Sequence, residues 1–249
     1  MSTSSLPSHT DLGALNKSSA RIATFLVRVV KPKLASYTYT GKADGQRKTG
    51  NIFQCFLVGT KGESYCQGFV KGSLAEQQNA ETKFKDGTLW KLTKAVFDFT
   101  TPAYISSPIK LKVDMNKSVL EACAAADGIV AAFPVPPRTV AETSIINTNK
   151  ASDIIALVKG ISTKRISKAN NPYCTVELID GSETAAEKTA VLSVKVFGAE
   201  KIEFISENQT EPLAFFNLMA KCENGAVSVN HWEEYEVVLA PSCKRTEEL

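Results

Sequence analysis

Two sets of short, β-branched apolar runs, arranged in the same order and separated by turns, constrain this chain more than any other feature. In the first half, Ile22 to Val30 is closed by Lys31-Pro32-Lys33, and Asn51 to Val58 and Tyr65 to Val70 flank the turn Gly59-Thr60-Lys61-Gly62-Glu63. The first run reads as a strand ending at proline, and the next two as a β-hairpin around a glycine-containing turn. Ser73 to Lys83 has helix formers and few β-branched residues, so it reads as a short helix. Two further strands are expected over Thr88 to Phe99 and Ile109 to Met115.

The resulting order, three strands, a helix and two strands, is that of an oligonucleotide/oligosaccharide-binding (OB) barrel, which closes five strands with a helix between the third and fourth. The pattern then recurs. Asp153 to Ile161 echoes the first strand, Tyr173 to Gly181 the second with its turn, and Val191 to Gly198 the third. Ala199 to Phe204 takes the helix position, and Leu213 to Ala220 and Ala226 to Leu239 supply the last two strands. Between the copies, Leu120 to Ala132 is alanine-rich and Phe133-Pro134-Val135-Pro136-Pro137 is stiff and extended, a composition that marks a boundary. The expected fold class is all-β with short helices: two tandem OB-fold barrels at 20–117 and 144–241, joined by an Ala/Pro-rich linker at 118–143. Residues 1–19 and 242–249 read as tails.

With 43% hydrophobic and 22% charged residues over 249 positions, the chain can fill two small cores, which excludes a disordered reading for most of its length. No run of eighteen apolar residues occurs, and Met1 to Asn16 is Ser/Thr-rich without a basic or apolar leader, so neither membrane insertion nor signal-peptide export is expected. The six cysteines (Cys55, Cys66, Cys123, Cys174, Cys222, Cys243) form no CxxC pair and the two histidines, His9 and His231, stand apart, so no metal site and no cofactor is expected. Buried thiols in a reducing compartment are the simpler reading. No phosphate loop, HExxH or GxSxG is present, which argues against an enzyme.

Charge is divided unevenly. Ala20 to Lys117 carries 16 Lys/Arg against 7 Asp/Glu, a net of +9, whereas Ser144 to Leu249 carries 11 against 15, a net of −4. A basic first half is the footprint of a polyanionic partner, although a solvated surface also carries such charge.

The stretch Gly50 to Gly59 and on to Glu63, followed by Cys66-Gln67-Gly68-Phe69, resembles the second and third strands of the first central single-strand-binding domain in the large subunit of replication protein A. Val191 to Gly198, with Phe197-Gly198 where that family has Trp-Gly, resembles the corresponding piece of the second domain. The resemblance covers most of Ala20 to Pro241; the family's zinc-containing trimerisation domain and its amino-terminal recruitment domain have no counterpart. It implies that each domain stacks DNA bases on aromatic side chains. By position these are Phe69 and Tyr104 in the first copy and Phe197 in the second, whose other aromatic would fall near Asn224. Trp232 lies too far along to replace it. A phenylalanine on a strand faces either the groove or the core, and both readings of Phe69 and Phe197 stay open; Trp90 and Phe97 are assigned to the core.

Basic residues expected beside these platforms are Lys31, Lys33, Lys42, Arg47 and Lys48 in the first copy and Lys159, Lys164, Arg165 and Lys168 in the second. Near a groove that tracks a phosphate backbone they release counterions and give affinity without sequence preference. The expected function is non-sequence-specific binding of single-stranded DNA in replication, recombination or repair, inside the cell or in a virus. The alternatives are single-stranded RNA as partner, or OB folds turned to protein interaction.

Overall fold

The computed structural model describes residues 9–16, 22–41, 43–62, 65–99, 106–107, 109–124, 128–136, 138–144, 146, 150–184, 189–223, 226–230, 236–247 and 249. The chain divides into two compact units, the first comprising Met1–Thr101 and Ser107–Pro134 and the second Pro102–Ser106 and Val135–Leu249.

In the first unit the strands are β1 (Ile22–Thr40), β2 (Arg47–Val58), β3 (Tyr65–Lys71), β4 (Leu89–Asp98), β5 (Lys110–Asp114) and β6 (Val119–Ala122). β1 pairs with β2, β2 with β3, β3 in parallel with β5, β5 with β4, and β4 returns to β1, so the sheet closes on itself. With helix α1 (Leu74–Lys83) between the third and fourth strands, this is an OB barrel. The helix starts where it does because Ser73 and Glu76 form a reciprocal capping box. Its far end delivers Ala80 and then Phe84 into a core built on Phe25, Phe53, Leu57, Leu92, Phe97 and Leu111.

The second unit contains α2 (Val140–Ser144), β7 (Lys150–Ile161), β8 (Arg165–Ile166), β9 (Pro172–Ile179), β10 (Leu192–Phe197), α3 (Ala199–Glu207), β11 (Leu213–Glu223), β12 (Ala226–Asn230), β13 (Glu236–Leu239) and α4 (Lys244–Glu247). Its closure repeats the first: β7 with β9, β9 with β10, β10 in parallel with β12, β12 with β11, β11 with β7. Ile154, Val176, Leu178, Val194, Val196, Phe215 and Leu218 fill this barrel, and Ile202 and Ile205 of α3 close it.

Four boundaries differ from those expected. β1 does not stop at Pro32; it runs on to Thr40, because the register with β2 slips between Val30 and Lys33. That β-bulge leaves Lys31 and Pro32 outside the ladder, where a missing N–H costs nothing. Within the amino-terminal tail, Leu12 is buried in the first core and the Thr10 N–H donates to the Thr24 carbonyl, so this part is docked. The 118–143 segment is structured at both ends: β6 pairs with β4, Arg28 donates to the carbonyls of Val130 and Ala131, and α2 buries Val140 and Ala141 in the second core. Ala226 to Leu239 supplies two strands, and β13 adds to the far end of β11.

Candidate functional site

Strand alternation decides which side each candidate faces. On β3, Cys66 and Val70 lie in the core, and a Cβ on Gly68 would come within 2.6 Å of Leu57 Cδ1, so positions 66, 68 and 70 point inward. Phe69 therefore stands on the outer face, half-buried. Its backbone is in register with Gln54 of β2 and Lys112 of β5, and Gln54 is in register with Lys33 of β1. Residues in register across a sheet share a face. Lys33, Gln54, Phe69 and Lys112 thus form one transverse row, an aromatic ring between two ammonium groups.

The second barrel repeats the geometry with different side chains. Leu192, Val194 and Val196 point into the core, which turns Ser193, Lys195 and Phe197 outward. Gly198 follows with φ +95°, a conformation L side chains rarely adopt, and makes the corner from β10 into α3. On β9, Cys174, Val176 and Leu178 face inward, so Tyr173, Thr175 and Glu177 share the outer face. Phe197 is in register with Tyr173, and Tyr173 with Arg165 of β8. The two rings lie 5.4 Å apart between centroids at 31°, and Lys195 Nζ sits 5.7 Å from the centre of the Tyr173 ring, within cation–π reach.

Of the other basic candidates, Arg47 and Lys48 lie where β2 begins, opposite Thr40 and Tyr39. Lys48 Nζ is 2.7 Å from Asp44 Oδ2, and this hydrogen bond, with one from the Gln46 N–H, holds the Asp44 carboxyl below its ordinary value. Lys31 occupies the bulge at φ +51°, its N–H donating to Asp86 Oδ1, and is not part of the Phe69 row. Lys159, Lys164 and Lys168 are exposed on β7 and in the loops flanking β8, outside the register of the aromatic row, whereas Arg165 is within it. Tyr104, Lys42 and Trp232 lie outside the described residues.

Gln54, Lys112 and Tyr173, which stand in the two rows, and Lys195, whose ammonium lies near the Tyr173 ring, are absent from the sequence-based candidates. Tyr173 shares the parity of Thr175 and Glu177 against the apolar Cys174, Val176 and Leu178, so its outward direction is readable in the sequence. Its register with Phe197 is not. Beside Phe197 this barrel places a second ring, Tyr173, on the neighbouring strand; Asn224 lies outside the described residues. Chemically, both faces can hold a planar π-system against a ring and an anion against the adjacent ammonium or guanidinium groups.

No family model and no curated protein matches this sequence. Among solved structures, the chain is similar to a replication protein A heterotrimer bound to single-stranded DNA, at 14% identity and a TM-score of 0.47, covering 94% of this chain and 52% of that one. The chain therefore spans about half the length of that structure's chain. It is also similar to p202 HIN1 in complex with 12-mer double-stranded DNA, at 11% identity and a TM-score of 0.44, covering 92% and 98% of the two chains. The Ifi202 HINa domain in complex with 20 bp double-stranded DNA shows 10% identity and a TM-score of 0.42, with 87% and 95% covered.

Proposed function

We propose that this protein binds single-stranded DNA without sequence preference, through its two outer barrel faces, and that it is a binding protein and not an enzyme. The observation that carries the reading is the repeated row: Lys33-Gln54-Phe69-Lys112 on the first barrel and Arg165-Tyr173-Phe197, with Lys195 against the tyrosine, at the same place on the second. A base freed from a duplex exposes a π-face that any of these rings stacks, at about 1–3 kcal/mol per base and with no hydrogen-bond code to select among bases. The flanking cations neutralise phosphates and release counterions. Such a protein serves wherever strands are transiently unpaired, in replication, recombination or repair within a DNA-containing compartment, as the resemblance to the central domains of replication protein A implies.

The test is a fluorescence titration of the full chain with single-stranded DNA, single-stranded RNA and duplex of matched length at low and moderate salt. Tighter binding of single-stranded DNA, weakening linearly in log salt, supports the proposal. RNA or duplex preference, or no binding at low salt, overturns it.

A further inference from the structure

From Ala35 and Ile52 outward, β1 and β2 pair with each other alone among the described residues, so the first barrel carries a two-stranded arm that ends at Thr40 and Arg47. The arm has unlike faces. Ser36, Thr38 and Thr40 lie opposite Asn51, Thr49 and Arg47, which makes one face polar throughout. The other continues the face of Lys33 and Gln54, and it presents Tyr37 opposite Gly50 and Tyr39 opposite Lys48. Both rings are about half open to solvent, at 45% and 46%, and lie 5.8 Å apart between centroids.

These tyrosines belong to neither hydrophobic core. Cross-strand packing accounts for part of the arrangement, since the hydroxyl end of Tyr37 covers the bare backbone at Gly50, where a Cβ would come within 2.7 Å of Cζ. It leaves unexplained why two large rings stay open on the one face that leads to Phe69. At strand spacing, Tyr37 is about 13 Å along β1 from the Phe69 row and about 10 Å across the sheet from Phe69 itself. Between them lie Lys33, Ala35, Ile52 and Gln54, with no acidic residue; from Lys33 to Gln54 the only acid is Asp44, held by Lys48.

We infer that Tyr37 and Tyr39 form a further base-stacking subsite, which takes the unpaired bases of the same nucleic-acid strand that lies on Phe69 and lengthens the segment the first barrel covers. The inference rests on the outer faces binding a single strand. Continuity of the face and its positive charge select this occupant: a strand leaving Phe69 passes Lys33 and meets the tyrosines next.

The experiment uses the full chain and end-labelled oligothymidylates of increasing length, read by anisotropy, with melting temperature measured on the same preparations. Tyr37→Ala/Tyr39→Ala should leave the shortest oligonucleotides that bind unaffected, weaken the longer ones about 5- to 100-fold, and shorten the occluded length by about two to four nucleotides. Phe69→Ala should weaken all lengths. Tyr37→Leu/Tyr39→Leu keeps apolar bulk and removes the π-faces, so it serves if the alanine pair melts early; the same length-dependent loss supports the subsite, and wild-type affinity at every length overturns it. A loss confined to duplex binding overturns the single-strand assignment of the arm. If the wild-type chain binds no single strand at low salt, the underlying reading falls as well; if it binds and the arm variants bind equally, the subsite alone falls.

Discussion

The two barrels close in the same strand order yet furnish equivalent positions of the outer face very differently. In the first, the positions alongside Phe69 are taken by Phe56, Tyr65 and Gln67, all buried; in the second the corresponding Thr175, Ser193 and Lys195 are polar and open to varying degree. The first barrel stands a single ring, Phe69, in its row and carries its other open aromatics on the arm, whereas the second packs Tyr173 and Phe197 together under one lysine. The inward positions of both are predominantly apolar, Ser152 being a buried polar exception, because a small barrel must fill its interior. The outward positions carry no such requirement, and it is there that the two copies have been made into different tools.

The largest effect expected on this comparison comes from the cores. Phe97→Ala in the first barrel and Phe215→Ala in the second each remove a fully buried ring and should cost about 3–5 kcal/mol. Denaturant unfolding should show each loss in its own barrel; equal loss in both transitions would mean that the barrels unfold as one body and are not separable sites. Next come the rings. Tyr173→Ala and Phe197→Ala should each weaken single-strand binding by about 1–3 kcal/mol with little change in melting temperature. Because these rings touch, the double variant should lose less than the sum, whereas Phe69→Ala with Phe197→Ala should lose the full sum or more. Calorimetric titration of the single and double variants checks this, and strict additivity within the second barrel would show that its rings act on separate bases.

Smaller effects separate charge from stacking. Lys112→Ala and Lys195→Ala should each flatten the plot of log affinity against log salt by about 0.7, the share of one phosphate on a single strand. An unchanged slope for Lys195 would assign that ammonium to holding Tyr173 instead. The smallest effect concerns Asp44, whose carboxyl is held below its ordinary value by Lys48. A lowered folded-state value means that the pair supports the arm above the ordinary carboxylate range and is lost as the pH falls through the lowered value. Both groups are solvent-accessible, so Asp44→Asn should leave the melting temperature unchanged within error while abolishing the acid titration of the Lys48 resonances by NMR.

Much of this architecture is legible in the sequence because strand order is written in apolar runs. The Asn51 to Val58 and Tyr65 to Val70 pair, and its echo at Tyr173 and Val191, announce two copies with a helix in the same place. What is not legible follows from what a period of two cannot say. Phe197 shares the parity of Ser193 and Lys195, but the run from Tyr65 to Val70 has no such contrast, and for Phe69 only closure of the barrel, with Gly68 pressed on Leu57, tells inside from outside. Pro32 reads as a strand end because the rule assumes an unbroken ladder; the bulge suspends that rule, and β1 carries on past it through Tyr37 and Tyr39. The 118–143 segment reads as a linker from its Ala and Pro content, yet Thr139 and Glu142 cap a short helix whose Val140 reaches the core, a tertiary gain that composition does not carry.

The close approach at Gly68 has a consequence for how these barrels can diverge. At matching places the first barrel has Gly68 facing Cys55 beside Leu57, and the second has Val196 facing Cys174 beside Val176, so the same interior volume is divided differently along the diagonal. A substitution path from one packing to the other is accordingly directional. Enlarging Gly68 first drives a methyl group into Leu57, whereas shrinking Leu57 to valine first only opens a small void, at a cost of about 0.5–1.5 kcal/mol. Of the two orders of mutation the second passes through the less crowded intermediate, so a lineage or a designer exchanging the interiors of these barrels does better to shorten Leu57 before enlarging Gly68.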